Sequence, residues 1–362
     1  MAVLYRKYRP QSFGEVVGQE HVVKTLTNSI GSNNISHAYL FSGPRGSGKT
    51  TIARLFAKAI NCQDRKDFEP CNKCSSCTEI MAGNSIDLIE IDAASHTGVD
   101  DVRQLIEGIK FSPVKSKYKI FIIDECHQLS KAASNALLKT LEEPPSHAIF
   151  LLATTEAHKM IPTILSRCQR FDFKKLQPAE IIKKLNSISK KENVKFDEGA
   201  LSLIALNSRG SFRDAESLLD QCISFSGQKG IIKAEEIKEL LGIAEVGQIS
   251  QFVDYLAAKD AKGAVLQLNL LCDNGIDLQE FTKTLVFYLR QALMSKLDPE
   301  FLNSPNLGLS AEELQKIKSQ AEIFSQQDLQ NMLILFIDAE NKIKYASISQ
   351  LPLELAIMSI TS

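Results

Sequence analysis

The sequence predicts an α/β domain built on a five-stranded parallel sheet and followed by two helical domains. Three observations predict it. Short apolar runs alternate with helical stretches over residues 1–174, the pattern of a parallel sheet covered on both faces. The string G-P-R-G-S-G-K-T at residues 43–50 stands between one such run and a helix-like segment. From Pro178 onward the helical period dominates to the end of the chain. At 362 residues the chain exceeds what one hydrophobic core usually serves, so several domains are expected.

The strand-like runs fall at residues 37–42 (H-A-Y-L-F-S), 86–91, 118–123 and 149–153, and a shorter piece at 169–173 (Q-R-F-D-F) supplies the fifth. The first run leads into the glycine-rich string. Behind that string, Ile52, Leu55, Phe56, Ala59 and Ile60 recur at i, i+3, i+4, i+7 and i+8, one face of a helix. A strand, a loop of the form G-x-x-x-x-G-K-[ST] and a helix N-terminus together make a nucleoside triphosphate site. A chance glycine-rich turn before an ordinary helix would not bring all three together. The cradle is Gly43, Pro44, Arg45, Gly46, Ser47, Gly48, Lys49, Thr50 and Thr51. Its glycines allow close backbone approach to phosphate oxygens, Lys49 reaches the β/γ-phosphates, and the Thr50 hydroxyl ligates Mg²⁺.

Residues 175–243 read as a small helical domain, with Ile181, Ile182, Leu185 and Ile188 in one stripe and Leu201, Ile204 and Ala205 opening another. Residues 244–362 form a second helical block, striped by Phe252, Tyr255 and Leu256 and then by Phe281, Leu285 and Leu289. The stretch 298–309, with Pro299 and Pro305, reads as a connecting loop, and an apolar helix at 351–360 comes last.

Charge narrows the function classes. With 42 Lys and Arg against 43 Asp and Glu, the net charge is −1. No global positive field points to nucleic acid, so any DNA contact must come from local arrangement. The start M-A-V-L-Y-R-K-Y-R-P lacks a signal-peptide core, and no apolar run approaches a membrane span. The reading is a cytoplasmic protein with no membrane partner.

In a reducing compartment, eight cysteines are not read as a disulfide framework. Cys62, Cys71, Cys74 and Cys77 give C-x₈-C-x₂-C-x₂-C, four thiolates suited to tetrahedral Zn²⁺. A helix rising about 1.5 Å per residue carries Cys62 roughly 16 Å from the phosphates, so this metal is structural. Free thiols and a redox pair are the weaker readings. Cys126, Cys168, Cys222 and Cys272 have no ligand spacing and read as small buried hydrophobes.

K-I-F-I-I-D-E-C-H-Q at 119–128 places two acids at a strand's carboxyl end, where ligands of such sheets bind. Asp124 is placed to hold Mg²⁺, and Glu125 to orient the attacking water. Taken alone the pair could equally cap a helix. Four further residues stay open on residue chemistry. Thr154 and Thr155 end the fourth strand and could sit beside a γ-phosphate or simply turn the chain. Arg213 begins a helix in the second domain and Arg167 lies in L-S-R-C-Q-R-F, and either could be an ordinary surface cation.

Several strings occur together: Y-R-K-Y-R-P-Q-S-F at 5–13, V-V-G-Q-E-H-V at 16–22, the phosphate loop, the four cysteines, D-L-I-E-I-D-A-A-S at 87–95, N-A-L-L-K-T-L-E-E-P-P at 135–145 and S-R-C at 166–168. Jointly they resemble the bacterial DNA polymerase III gamma/tau family, the AAA+ ATPase motor of the sliding-clamp loader. The likeness is close over residues 4–243. Beyond that it is only that of a helical block. It implies an AAA+ domain at 1–174 with a zinc module at 62–77, a lid at 175–243 and an oligomerising collar at 244–362.

The same resemblance implies roles that spacing cannot. Arg167 would be an arginine finger reaching a neighbouring subunit's ATP, Thr155 the sensor on the fourth strand and Arg213 the sensor in the lid. Arg9, Pro10, Val17 and Gly18 would belong to the nucleotide-base pocket. Implied partners are delta-type and delta-prime-type subunits and further copies of the chain in a five-membered ring, the beta sliding clamp and primer-template DNA. The acidic string D-E-C-H departs from the commoner D-E-x-H with valine or alanine, a change on the packing side. The chain stops after the third domain, which implies the short gamma form or a truncated one, without the tau-type tail. Two rivals remain: a DNA-translocating AAA+ helicase, which should carry a winged-helix domain, and a non-catalytic loader scaffold, which the intact Lys49, Thr50, Asp124 and Glu125 disfavour.

Overall fold

A computed structural model describes residues 3–95, 107–109, 111–226, 230–240, 246–298 and 311–361. The chain divides into two compact units, Met1–Lys233 and Ala234–Ser362. In the first unit, helices α1 (Leu4–Lys7) and α2 (Glu20–Gly31) precede strand β1 (Ala38–Ser42). Helices α3 (Lys49–Ile60) and α4 (Ser75–Ala82) follow, then β2 (Leu88–Asp92), β3 (Lys119–Asp124), α5 (Lys131–Glu142), β4 (Ala148–Thr154), α6 (Pro162–Leu165) and β5 (Gln169–Asp172). The strands form one sheet in the order β2-β3-β4-β1-β5, and every neighbouring pair is parallel. β1 and β4 are buried along their whole length, which is why they read as unbroken apolar runs.

Side chains alternate between two cores. Tyr39, Phe41, Ile120, Ile122 and Leu151 pack with Leu26, Ile52 and Phe56 on one face. Leu40, Phe121, Ile123, Phe150 and Leu152 pack with Leu137 and Leu141 on the other. Register fixes the site: Ser42 pairs with Thr154 and Asp92 with Asp124, so β1, β3 and β4 end at one edge.

One boundary is corrected. The second strand runs over Leu88–Asp92 and not over 86–91, and Ile86 is 59% exposed. Asp87 turns the chain there, its carboxylate accepting the amides of Val114, Lys115 and Ser116 at 2.7, 2.8 and 2.8 Å. Those bonds lock residue 87 into a loop junction.

After β5 come α7 (Pro178–Lys191), β6 (Lys195–Phe196), α8 (Glu198–Asn207), α9 (Phe212–Ser226) and β7 (Ile231–Ile232). Gln177 and Glu180 form a capping box at the start of α7, and Asp197 caps α8. Ile181, Leu185 and Ile188 are buried, while Ile182 is only half-buried. The helical period gave no sign of the two-stranded β6-β7 ladder, whose strands are too short for a periodic signal.

The second unit holds α10 (Ala234–Leu240), α11 (Val246–Ala257), α12 (Ala261–Asp273), α13 (Leu278–Leu297), α14 (Ala311–Ile323), α15 (Gln326–Ile343) and α16 (Leu351–Thr361). No strand occurs among its described residues. Asp260, Asp277 and Ser325 cap α12, α13 and α15. Phe252, Phe281, Leu285, Leu289 and Phe336 form its core. The loop expected at 298–309 lies outside the described residues apart from Asp298. No described helix is long and apolar enough to cross a membrane.

Candidate nucleotide site and cysteine cluster

The loop between β1 and α3 carries positive φ at Gly43, Gly46 and Gly48, and Gly48 caps the helix. At Gly46 the requirement is steric as well: a Cβ there would meet Ser211 Oγ at 1.8 Å. The turn that opens α9 is pressed onto the loop, and the Phe212 amide donates to Gly46 O at 3.2 Å. The amides of Arg45, Gly46 and Gly48 find no acceptor among the described residues. Unpaired donors at a helix N-terminus suit the oxygens of a phosphate chain.

Lys49 is buried, and its ammonium donates to the carbonyls of Gly43 and Pro44 at 2.8 and 2.9 Å. Burial lowers its pKa, while Glu125 and Asp124 pull it back up. Thr50 Oγ1 donates to Asp124 Oδ2 at 2.7 Å, setting a hydroxyl and a carboxylate side by side. These hard oxygen ligands fit Mg²⁺, which takes few protein ligands and completes its shell with phosphate and water. Thr51 follows in the first turn of α3.

Beyond Asp124 the backbone takes a left-handed step at Glu125, φ 46°. Glu125 precedes a 3₁₀ turn, and its side chain makes no cap bond there. Its Oε2 instead accepts from Thr155 Oγ1 at 2.9 Å and from the Thr155 amide at 3.2 Å. His127 extends this polar row: Nδ1 lies 2.9 Å from Thr154 Oγ1 and 3.5 Å from Glu125 Oε2, and Nε2 lies 3.2 Å from Glu156. His127 was not among the candidate residues, although the string D-E-C-H contains it.

The two arginines are placed differently. Arg213 lies over the Tyr5 ring at 5.2 Å, a cation–π contact. Arg167 is outside this cluster: Nη2 donates to Glu142 at 2.6 Å and Nη1 to Thr163 O at 2.9 Å, at the end of α6. Burial, then the nearby Arg54 cation, lowers the pKa of Arg9, with Glu90 opposing. Arg9 and Val17 line a cleft of about 450 Å³ together with Tyr8, Lys183 and Lys184. Pro10 is half-buried in the same segment. Gly18 sits under the lid, where a Cβ would meet Leu176 Cδ2 at 2.4 Å.

Sequence reasoning also missed two buried polar residues here. Gln19 donates to Lys174 O at 2.8 Å and accepts the Lys174 amide at 3.2 Å, tying the phosphate-loop side to the lid linker. Glu216, one turn beyond Arg213, is 6% exposed, and burial raises its carboxyl to about 7 against the pull of Lys184 and Arg9. Its string R-D-A-E-S reads as an ordinary solvated face.

The four clustered cysteines converge. Their sulfurs all lie within 4.8 Å of one another, and Cys62–Cys74 and Cys71–Cys77 are each separated by 4.0 Å. Disulfide sulfurs would be about 2 Å apart. Four thiolates around Zn²⁺ at about 2.3 Å would be about 3.8 Å apart, close to what is seen. The amides of Lys73 and Cys74 lower Cys71 to about 6, and burial raises Cys77. Helix α3 begins at the phosphate loop and ends two residues before Cys62, so the cluster sits at its far end. Of the other cysteines, Cys126 and Cys222 are buried as expected, whereas Cys168 and Cys272 are only half-buried. Cys272 Sγ accepts from Gln350 Nε2 at 3.2 Å, which keeps it near a polar edge.

The chain is similar to known proteins along most of its length. Residues 18–177 match the family model described as DNA polymerase III, delta subunit, residues 180–228 the clamp loader subunit ATPase lid domain, and residues 232–362 the gamma and tau domain III. The tau subunit of DNA polymerase III from Bacillus subtilis is 49% identical over 296 residues, 82% of this chain and 52% of that one. The chain thus spans about half the length of that relative. The gamma subunit from Buchnera aphidicola subsp. Baizongia pistaciae is 42% identical over 82% of this chain and 80% of its own. Among solved structures, a Thermotoga maritima RuvB Holliday junction branch migration motor shares the fold, with TM-score 0.50 and 19% identity over 87% of this chain and 90% of that one. Phosphate loop, acidic strand end, helical lid and these relatives lead to one conclusion: the chain belongs to the family of DNA polymerase III gamma and tau subunits.

Proposed function

We propose that this chain is the ATPase motor of a sliding-clamp loader, binding ATP between adjacent subunits of a five-membered ring. The observation that carries the reading is the hydrogen-bonded row Thr50–Asp124 and Glu125–Thr155 beside Lys49, all at one edge of the sheet. The loop amides and Lys49 hold the triphosphate; Thr50 and Asp124 hold Mg²⁺. Glu125 orients and polarises a water at the γ-phosphate, and Thr155 fixes the direction of that carboxylate. When bound, the Mg²⁺–ATP pair supplies the scissile phosphoanhydride and the cation that neutralises its developing charge.

Arg213 opens the lid helix that touches Gly46, so lid position can follow the γ-phosphate. Arg167 serves a neighbour's nucleotide, releasing Glu142 as the ring closes. Such a finger is worth about 10³–10⁵ in rate, roughly 4–7 kcal/mol of barrier, so turnover belongs to the assembled ring. Residues 244–362 act as the collar, Arg9, Pro10, Val17 and Gly18 flank the base, and the four cysteines hold structural Zn²⁺. Partners are delta-type and delta-prime-type subunits, further copies, the beta clamp and primer-template DNA, in the cytoplasm. The test is reconstitution: the wild-type chain should load a clamp onto primed DNA in an ATP-dependent way, and Lys49→Ala should lose both nucleotide binding and loading. Loading by Lys49→Ala at the wild-type rate would overturn the proposal.

A further inference from the structure

Between the first two cysteines lies a small hairpin that has no part in ligating a metal. Lys66 and Glu69 exchange both backbone hydrogen bonds, at 3.3 and 2.9 Å, and the Cys71 amide donates to Cys62 Sγ at 3.3 Å. The loop is therefore closed at its neck by the thiol cluster and at its tip by the bridge. Glu69, two residues before Cys71, turns its carboxylate away from the cluster onto another part of the chain. Oε2 accepts the Phe13 amide at 2.9 Å and Oε1 the Gly14 amide at 2.9 Å. A carboxylate held by two adjacent amides makes charge-assisted, directional bonds.

The segment so held is a strap. It runs from α1 to α2, and its other contacts reach the lid. Lys7 Nζ and Tyr8 OH both donate to Glu192 Oε1 just beyond α7, at 2.7 and 2.5 Å. The Leu4 amide donates to Asp220 on α9 at 3.4 Å, and Tyr5 carries Arg213. Arg9 and Val17 face the cleft and Gly18 meets Leu176. A second tie joins the strap to the phosphate-loop helix: Lys58 Nζ donates to Gln11 O and Oε1 at 2.8 and 3.0 Å. Phe13, at the point of attachment, is 2% exposed in the sheet core.

We propose that Glu69 is a positioning residue through which the four-cysteine module sets the N-terminal strap, and with it the cleft between the strap and α7 and the strap's ties to the lid. The cluster lies at the far end of α3 from the phosphates and takes no part in their chemistry. Its influence travels by this second route, hairpin to Glu69 to the Phe13–Gly14 amides to Arg9, Val17 and Glu192. Metal closure of the loop neck fixes the hairpin; an open neck frees Glu69 and loosens the strap. The assignment of Arg9, Val17 and Gly18 to the nucleotide rests on the proposed function, but the path from Glu69 to the strap does not.

Hydrogen exchange on the whole 362-residue, zinc-loaded chain tests it, with ATP affinity by calorimetry as the second reading. In Glu69→Ala the amides of Phe13 and Gly14 should exchange at least about tenfold faster, with β1 amides unchanged. ATP affinity should weaken about three- to tenfold, and chelation of the wild type should have the same two effects. Chelating Glu69→Ala should weaken ATP binding no further, because both changes cut one path. Glu69→Gln, which keeps an acceptor and the side-chain shape, should fall between the two and serves if the alanine variant does not fold. Unchanged exchange at Phe13 and Gly14 in both variants overturns the proposal, as does a fully additive effect of chelation. A wild-type chain that binds no ATP would instead overturn the proposed function, with the exchange result standing by itself.

Discussion

Arg167 is held by Glu142: the guanidinium Nη2 donates to Oε1 across 2.6 Å, with the arginine side chain about a third exposed. A second nitrogen donates to the Thr163 carbonyl at 2.9 Å, so the arginine is anchored between the ends of α5 and α6. Partly exposed pairs of this kind contribute about 0–1 kcal/mol, a cost that a phosphate oxygen can repay. Arg167→Ala should therefore leave folding and ATP affinity nearly intact and lower DNA-stimulated turnover of the reconstituted loader by about 10³ or more. Glu142→Ala should shift stability by less than about 1 kcal/mol and retain turnover. Steady-state ATPase assays on the assembled complex decide it, and full turnover by Arg167→Ala would remove the trans role.

Glu125 and Thr155 make a second testable pair. The carboxylate takes two bonds from one residue, so removing the hydroxyl leaves the 3.2 Å amide bond in place. Glu125→Gln should keep nucleotide affinity and lose about 10²–10⁴ in turnover. Thr155→Val should lose less, because the carboxylate stays but its direction loosens. Single-turnover hydrolysis would reveal the order, and equal losses would mean that Thr155 does more than orient Glu125.

Stability of the first unit should depend on pH through Glu216. Its ordinary value is 4.5 and burial raises it to about 7, so across that window the folded chain holds a proton that the unfolded chain has released. An acid raised by folding makes stability fall as pH climbs through the window, and the penalty is complete above about 7. Glu216→Gln should flatten that slope and gain about 1–3 kcal/mol at pH 8, with little difference at pH 4.5. Urea midpoints from pH 4.5 to 8 measure it, and parallel curves for the two proteins would refute the assignment.

Zinc is expected at about one per chain, and chelation should lower the melting temperature of the first unit by about 10 °C or more. The second unit contains none of the four clustered cysteines and should melt unchanged. Elemental analysis with calorimetry checks both halves of this expectation. A metal-free protein with an unaltered first transition would leave the cluster as four reduced thiols.

The strands, the cradle and the proposed ligand set are legible in the chain's own order of residues, because each is written over a few neighbouring positions. Gly46 to Thr50, Asp124 with Glu125 and the C-x₂-C-x₂-C run each carry their chemistry in local spacing, and the two apolar periods separate sheet from helix. The boundary at β2 failed where a side chain overrode propensity: Asp87 caps a loop 27 residues away, and Ile86 is left exposed. What meets what across long stretches of chain is visible only once the chain is folded. Glu69 finding the Phe13 and Gly14 amides, Ser211 closing on Gly46, Arg167 resting on Glu142 and Glu216 being buried are products of packing. No local pattern encodes them, since a lone acid or arginine on a helix looks the same whether water or another element covers it.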